Sequence, residues 1–131
     1  MSLRPGDVEA AFVTILSAID RAHVGTKTPN PRPPYSIRVT RAGGNRRNLV
    51  QERPLMVLEC WGPDSVAAFE LAADAWAAIN DADGTVVAGV AIDLPRDSLA
   101  SPINMPDPDT TWPRYQFTAQ PYARLIEGAT P

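Results

Sequence analysis

Apolar residues recur at helical spacing near the start of the chain. Val8, Phe12, Ile15 and Ile19 fall three or four apart, with Ala11 and Ala18 alongside, and predict a helix from Asp7 to about His23. Asp7 suits its N-cap, Glu9 its first turn and Gly25 its end. The pattern stops at T-P-N-P-R-P-P, residues 28–34, where four prolines forbid a helix and favour an extended connection or arm. S-I-R-V-T-R, residues 36–41, alternates and predicts a strand with Ile37 and Val39 inward. A-G-G-N-R-R-N, residues 42–48, reads as a turn, and the wider span 42–53 as a flexible loop. P-L-M-V-L-E-C-W, residues 54–61, is nearly continuous in apolar residues and predicts a central strand.

G-P-D-S then opens a second helix, with Pro63 at its first position and Asp64 at the positive end. Its apolar face is expected to hold Val66, Phe69, Ala73 and Trp76, with Glu70 and Asp74 outside. D-A-D-G, residues 81–84, closes it as a turn. Residues 85–94 predict a third strand in which Gly89 marks a bulge or a close approach. Residues 112–125 alternate again: Tyr115, Phe117, Ala119, Ala123 and Leu125 share one face, and Arg114, Gln116, Thr118, Gln120 and Arg124 the other. Pro121 within that run signals an edge strand or a break. The order α-β-β-α-β-β predicts a single α+β domain over 1–131, a mixed, mostly antiparallel sheet with both helices on one face. Phe12, Val57, Leu58, Phe69, Trp76 and Phe117 are expected in its core.

The length of 131 residues, 44% hydrophobic and 21% charged, suits one such domain. A net charge of −3 gives no global basic excess toward nucleic acid. Cys60 is the single cysteine, which excludes an intrachain disulfide and a cysteine zinc cluster; within L-M-V-L-E-C-W it reads as a small buried hydrophobe before a reactive thiol. The first residues, M-S-L-R-P-G-D, lack a charged-then-apolar leader, and no 18-residue apolar run occurs, so neither a signal peptide nor a membrane span is expected.

Candidate chemistry is sparse. Asp93, Asp97, Asp107 and Asp109 sit near predicted strand ends, where a metal-dependent enzyme would gather carboxylates, but His23 is the only histidine and lies far away in sequence. No P-loop, HExxH, GxSxG or GxGxxG is present, and D-P-D-T-T, residues 107–111, reads better as turn chemistry. Charge is segregated instead. Arg38, Arg41, Arg46, Arg47 and Arg53 face one acid, Glu52, within 38–53, whereas 64–109 holds nine acids and one arginine, Arg96. The arginines allow phosphate binding, as in a nucleic-acid or peptide-binding module, but no aromatic lies among them to stack bases. A basic and an acidic segment on opposite sides also suit head-to-tail association of identical copies, which makes a ring when it closes. Trp112, beside Pro113, is the best candidate for an exposed anchor, and Trp76 for core.

The order and spacing of these pieces carry a resemblance over nearly the whole chain. V-L-E-C-W-G followed by the alanine-rich F-E-L-A-A-D-A-W-A-A-I, then V-V-A-G-V, then P-D-P-D-T-T-W-P-R-Y-Q-F-T-A-Q-P-Y-A-R, resembles the tail terminator proteins of long-tailed, siphovirus-type actinobacterial phages. These are similar in role to the U protein of phage lambda. The resemblance implies a structural virion protein without catalytic residues or cofactor, located at the head-proximal end of the tail after assembly in the host cytoplasm. It implies a homohexameric ring that caps the tail tube and ends its polymerisation. The partners implied are further copies of the chain, the tail tube protein and the head–tail connector, with genomic DNA passing through the lumen without sequence readout. Head-completion and neck proteins of similar size share this appearance and form the alternative. The residues expected at subunit or partner contacts are Arg38, Arg41, Arg46, Arg47, Arg53, Asp107, Asp109, Trp112, Arg114 and Tyr122. Stiff proline loops suit such contacts, since ordering a loop on binding costs free energy.

Overall fold

Asp7 caps the first helix: its carboxylate accepts the Ala10 N–H at 2.9 Å, and α1 runs Val8–Leu16 in a computed structural model that describes residues 2–128. The helix is shorter than its apolar spacing predicts. The Thr14 and Ser17 hydroxyls donate back to the carbonyls of Ala10 and Val13, a pattern that weakens a helix end. Farther on, His23–Gly25 is recruited as edge strand β2, parallel to β3 (Ser36–Arg46). His23 therefore stands in a strand and not on a last helical turn.

β3 and β4 (Gln51–Trp61) form a long antiparallel hairpin, paired from Ser36↔Trp61 to Arg46↔Glu52 with a bulge between Arg41 and Gly44. The span 42–53, expected as a flexible loop, is thus two paired strands closed by a tight turn. Gly44 makes the bulge possible: its φ is +113°, and a Cβ there would stand 2.3 Å from the Arg53 carbonyl oxygen. In the turn, the Asn48 side-chain oxygen accepts the N–H groups of Val50 and Gln51, each at 2.9 Å.

Helix α2 runs Ser65–Asp81. Asp64 is its N-cap, accepting the Ala67 N–H at 2.7 Å, so Pro63 precedes the helix and does not open it. Strands β5 (Val86–Val87) and β6 (Val90–Asp93) replace the single strand expected over 85–94. Ala88 and Gly89 both take positive φ, 49° and 78°, the twist of a two-residue hairpin turn. β7 (Ile103–Asn104) pairs with β8 (Arg114–Ala119), and β9 (Tyr122–Arg124) continues β8 after the break at Pro121 that the sequence signals. β1 (Leu3–Arg4) and β10 (Ile126–Glu127) form a small separate pair.

The main sheet runs β2-β3-β4-β9-β6-β5, with β8 also on β4 and β7 on β8; only β2·β3 is parallel. The fold is the expected single α+β domain, with a curled, mostly antiparallel sheet. Register assigns the faces. Ile37, Val39, Met56, Leu58, Phe117 and Ala119 point to one side and are buried under α1 and α2. Arg38, Thr40, Val57, Glu59, Gln116 and Thr118 point to the other.

Phe12, Leu58 and Phe117 are core as expected. Val57 and Trp76 are only half-buried, and Phe69 is 45% exposed. α2 instead buries Ala68, Leu71, Ala72, Ala75 and Ile79. Three of these five are alanines, and at its first turn the helix lies close to the end of β4; a Cβ on Gly62 would stand 2.7 Å from the Ala68 nitrogen.

Candidate functional site

The uncovered face of the sheet is organised by arginine. Glu59, nearly buried on β4, accepts two hydrogen bonds from Arg38 of β3 at 2.9 Å and one from Arg114 of β8 at 2.7 Å. The three sit side by side because Arg38↔Glu59 is a register pair and Trp61↔Arg114 is the next pair but one on the same face. A carboxylate accepting from two guanidiniums is charge-assisted and geometrically fixed. Trp61 lies beside this cluster, with Arg32 stacked at 4.6 Å and Arg38 at 5.3 Å from its ring. Arg32 comes from the proline-rich segment 28–34, which folds back onto the sheet and also brings Arg32 within 5.8 Å of the Trp112 ring.

Asp107 closes the cluster. It accepts the Trp61 indole N–H at 3.1 Å and the Asp109 backbone N–H at 3.0 Å, and Arg32 stands 3.6 Å away. Burial raises its carboxyl, but those two N–H donors and the cations of Arg114 and Arg32 outweigh burial and hold it below the usual carboxylate range. Turn chemistry is therefore half of its role; the other half pins the loop 105–113 to β4. On the opposite face, burial and the charge of Glu59 push the Cys60 thiol far above its ordinary value, which suits a packed side chain.

The ten residues expected at contacts divide accordingly. Arg38, Arg114 and Asp107 belong to the internal cluster. Arg41 pairs with Glu52, and its backbone N–H donates to Glu9 of α1 at 3.0 Å. Arg53 lies 3.5 Å from Asp97 and, with Arg47, stacks on Tyr122 at 5.5 and 3.8 Å. Asp109 is exposed, and Trp112 is half-buried over Arg32. Only Arg46 and Arg47 of the five arginines in 38–53 make no ion pair among the described residues, and both stand at the hairpin tip. The acids Asp93, Asp97, Asp107 and Asp109 do not converge: among the described residues no group of three or more His, Cys, Asp or Glu side chains could hold a metal ion. Among the described residues, no helix is long and apolar enough to cross a membrane.

Two apolar surfaces were not marked as sites by the sequence. The tip exposes Leu49 at 79% and Val50 at 42%, just after its arginines. The outer face of α2 exposes Val66 at 67%, with Phe69, Ala73 and Trp76 lining a cleft of about 250 Å³ against Ser101 and Pro102. Trp76 is fixed there by its indole N–H, which donates to the Ala100 carbonyl at 3.1 Å. Phe69 meets Tyr115 edge-on at 5.4 Å. Two adjacent aliphatic residues inside a polar, basic turn were the available signal for the first. For the second, the signal was a helix with too many large apolar residues for a single stripe.

The structure is a single α+β domain with two exposed apolar surfaces. No protein-family model matches the chain, and no curated protein matches it.

Proposed function

We propose that the chain is a structural subunit of a phage tail: a terminator that assembles into a ring, caps the tail tube, ends its polymerisation and joins it to the head–tail connector. The single observation that supports this best is the outer face of α2, where Val66 and Phe69 are exposed while alanines are buried. The inner face is already filled, by Leu71 and Ile79 as well as the alanines, so the further large apolar residues outside it are available to a partner. The resemblance over 56–79 and 106–124 supplies the identity of the assembly. The braced loops 28–34 and 105–113 fit it, because a pre-ordered surface loses little entropy on docking.

Native mass spectrometry and electron images of the concentrated protein test the proposal. A closed ring of six copies, and arrest of tube growth when it is added to polymerising tail tube protein, are the expected results. A protein that stays monomeric at every concentration would sink it. A ring that binds the connector but leaves tube growth untouched would move the chain to the neck proteins.

A further inference from the structure

We infer that the β3–β4 hairpin tip, Leu49 and Val50 with Arg46 and Arg47 just before them, docks into the α2 cleft of a second copy of this chain. This rests on the ring reading above and names its contact.

The two surfaces match in shape and in charge. The tip is an exposed aliphatic knob whose backbone is held: Asn48 caps it, the Arg46 guanidinium donates to the carbonyls of Asn48 and Leu49 at 2.9 Å, and the Leu125 N–H donates to the Val50 carbonyl at 2.7 Å. The cleft, at about 250 Å³, is below the usual ~300–1,000 Å³ of small-molecule sites and takes side chains. At 100° per residue, Val66, Ala73 and Ala77 form the outer pole of α2, Phe69 and Trp76 flank one side, and Glu70, Asp74 and Asp81 flank the other. Asp74 already meets Arg21 at 2.7 Å, whereas Glu70 and Asp81 make no ion pair among the described residues. An acidic edge beside an apolar cleft thus complements a knob that carries two cations next to it.

A tip does not reach the cleft of its own subunit. It is anchored by the pairs Arg46↔Glu52 and Gln51↔Arg124 at one end of β4 and contributes nothing to the cleft lining, while Trp76 is tied to Ala100, beside Thr118 and its register partner Val57, roughly 20 Å farther along the strand. Each copy offers one tip and one cleft, so the contact is heterologous and repeats around a closing ring. The apolar insertion supplies affinity, and the exposed charges orient it.

Native mass spectrometry with sedimentation tests this on three samples: the parent, Leu49→Asp and Ala73→Arg. Both positions face outward, and thermal melting checks folding; Glu70→Arg serves if Ala73→Arg does not fold. Each variant alone is expected to associate about 30-fold or more weakly than the parent, the loss of a hot-spot residue. An equimolar mixture should recover a 1:1 dimer that grows no further, because the Leu49→Asp subunit keeps a sound cleft and the Ala73→Arg subunit a sound tip. Variants that assemble like the parent overturn the contact and leave the ring reading standing. Two monomeric variants that do not complement each other overturn the head-to-tail arrangement. A parent that never associates removes both.

Discussion

The two helices lie on the same face of one sheet, yet they use their apolar residues in different ways. α1 turns its large side chains inward: Val8, Phe12 and Leu16 are buried against β3. α2 buries three alanines together with Leu71 and Ile79, and still leaves Val66 and Phe69 at the surface. α2 follows β4 after Gly62, where backbone meets backbone at the first turn and Ala68 is buried; farther along, Leu71 and Ile79 are buried with Ala72 and Ala75. The other large residues of α2 are then free for a second task, and a stripe that looks like core becomes a surface.

This contrast can be broken by mutation. The largest effect is expected from Phe12→Ala, which should cost about 3–5 kcal/mol in urea unfolding, as truncation of a buried aromatic does. An equal loss from Phe69→Ala would erase the distinction between the helices. Next comes Ala72→Leu. Overpacking the close inner face of α2 should cost about 1–3 kcal/mol, and a neutral result would show that the helix can move away from the sheet. Phe69→Ala itself should lower stability by about 1 kcal/mol or less, since the ring is 45% exposed and gives up mainly its edge contact with Tyr115. Its effect should appear in subunit association instead.

The smallest effect lies on the side of the sheet that neither helix covers. Asp107 has its carboxyl held low in the folded state, so its contribution to stability is fully present above the unfolded value of about 4 and is lost as pH falls through the folded one. The stability gap between the parent and Asp107→Asn should therefore narrow from pH 7 toward about pH 2, as followed by urea midpoints. A gap independent of pH would mean that the carboxylate charge does not brace the loop.

Much of the candidate site was visible in the sequence only as residue types. Arg46 and Arg47 were marked for contact, and they do stand unpaired at the tip among the described residues. Arg38, Arg41 and Arg114 were also marked, yet each pairs with a glutamate, Arg38 with its register partner Glu59 and the other two through side chains that reach along the sheet. Glu52 was noted only as the one acid of 38–53 and Glu59 not at all, because their arginine partners lie on other strands. Arg32 and Trp61 went unmarked because nothing local brings residue 32 over residue 61. The proline segment does so by folding back across the end of the sheet.

Periodicity and turn chemistry by themselves determined the α+β class, the central place of β4, the inward faces of β3 and β8, the cap at Asp7 and the break at Pro121. Each depends on a period of two or 3.6, or on the fixed geometry of one residue, and so is local. Tertiary structure alone decided that His23–Gly25 is a strand, since β3 offered it an edge to pair with. It made strands of the arginine-rich span, since the bulge at Gly44 let the ladder continue. It also chose which face of α2 is core. In an alanine-rich helix the hydrophobic difference between faces is small, and the distance to the neighbouring sheet decides which face is buried.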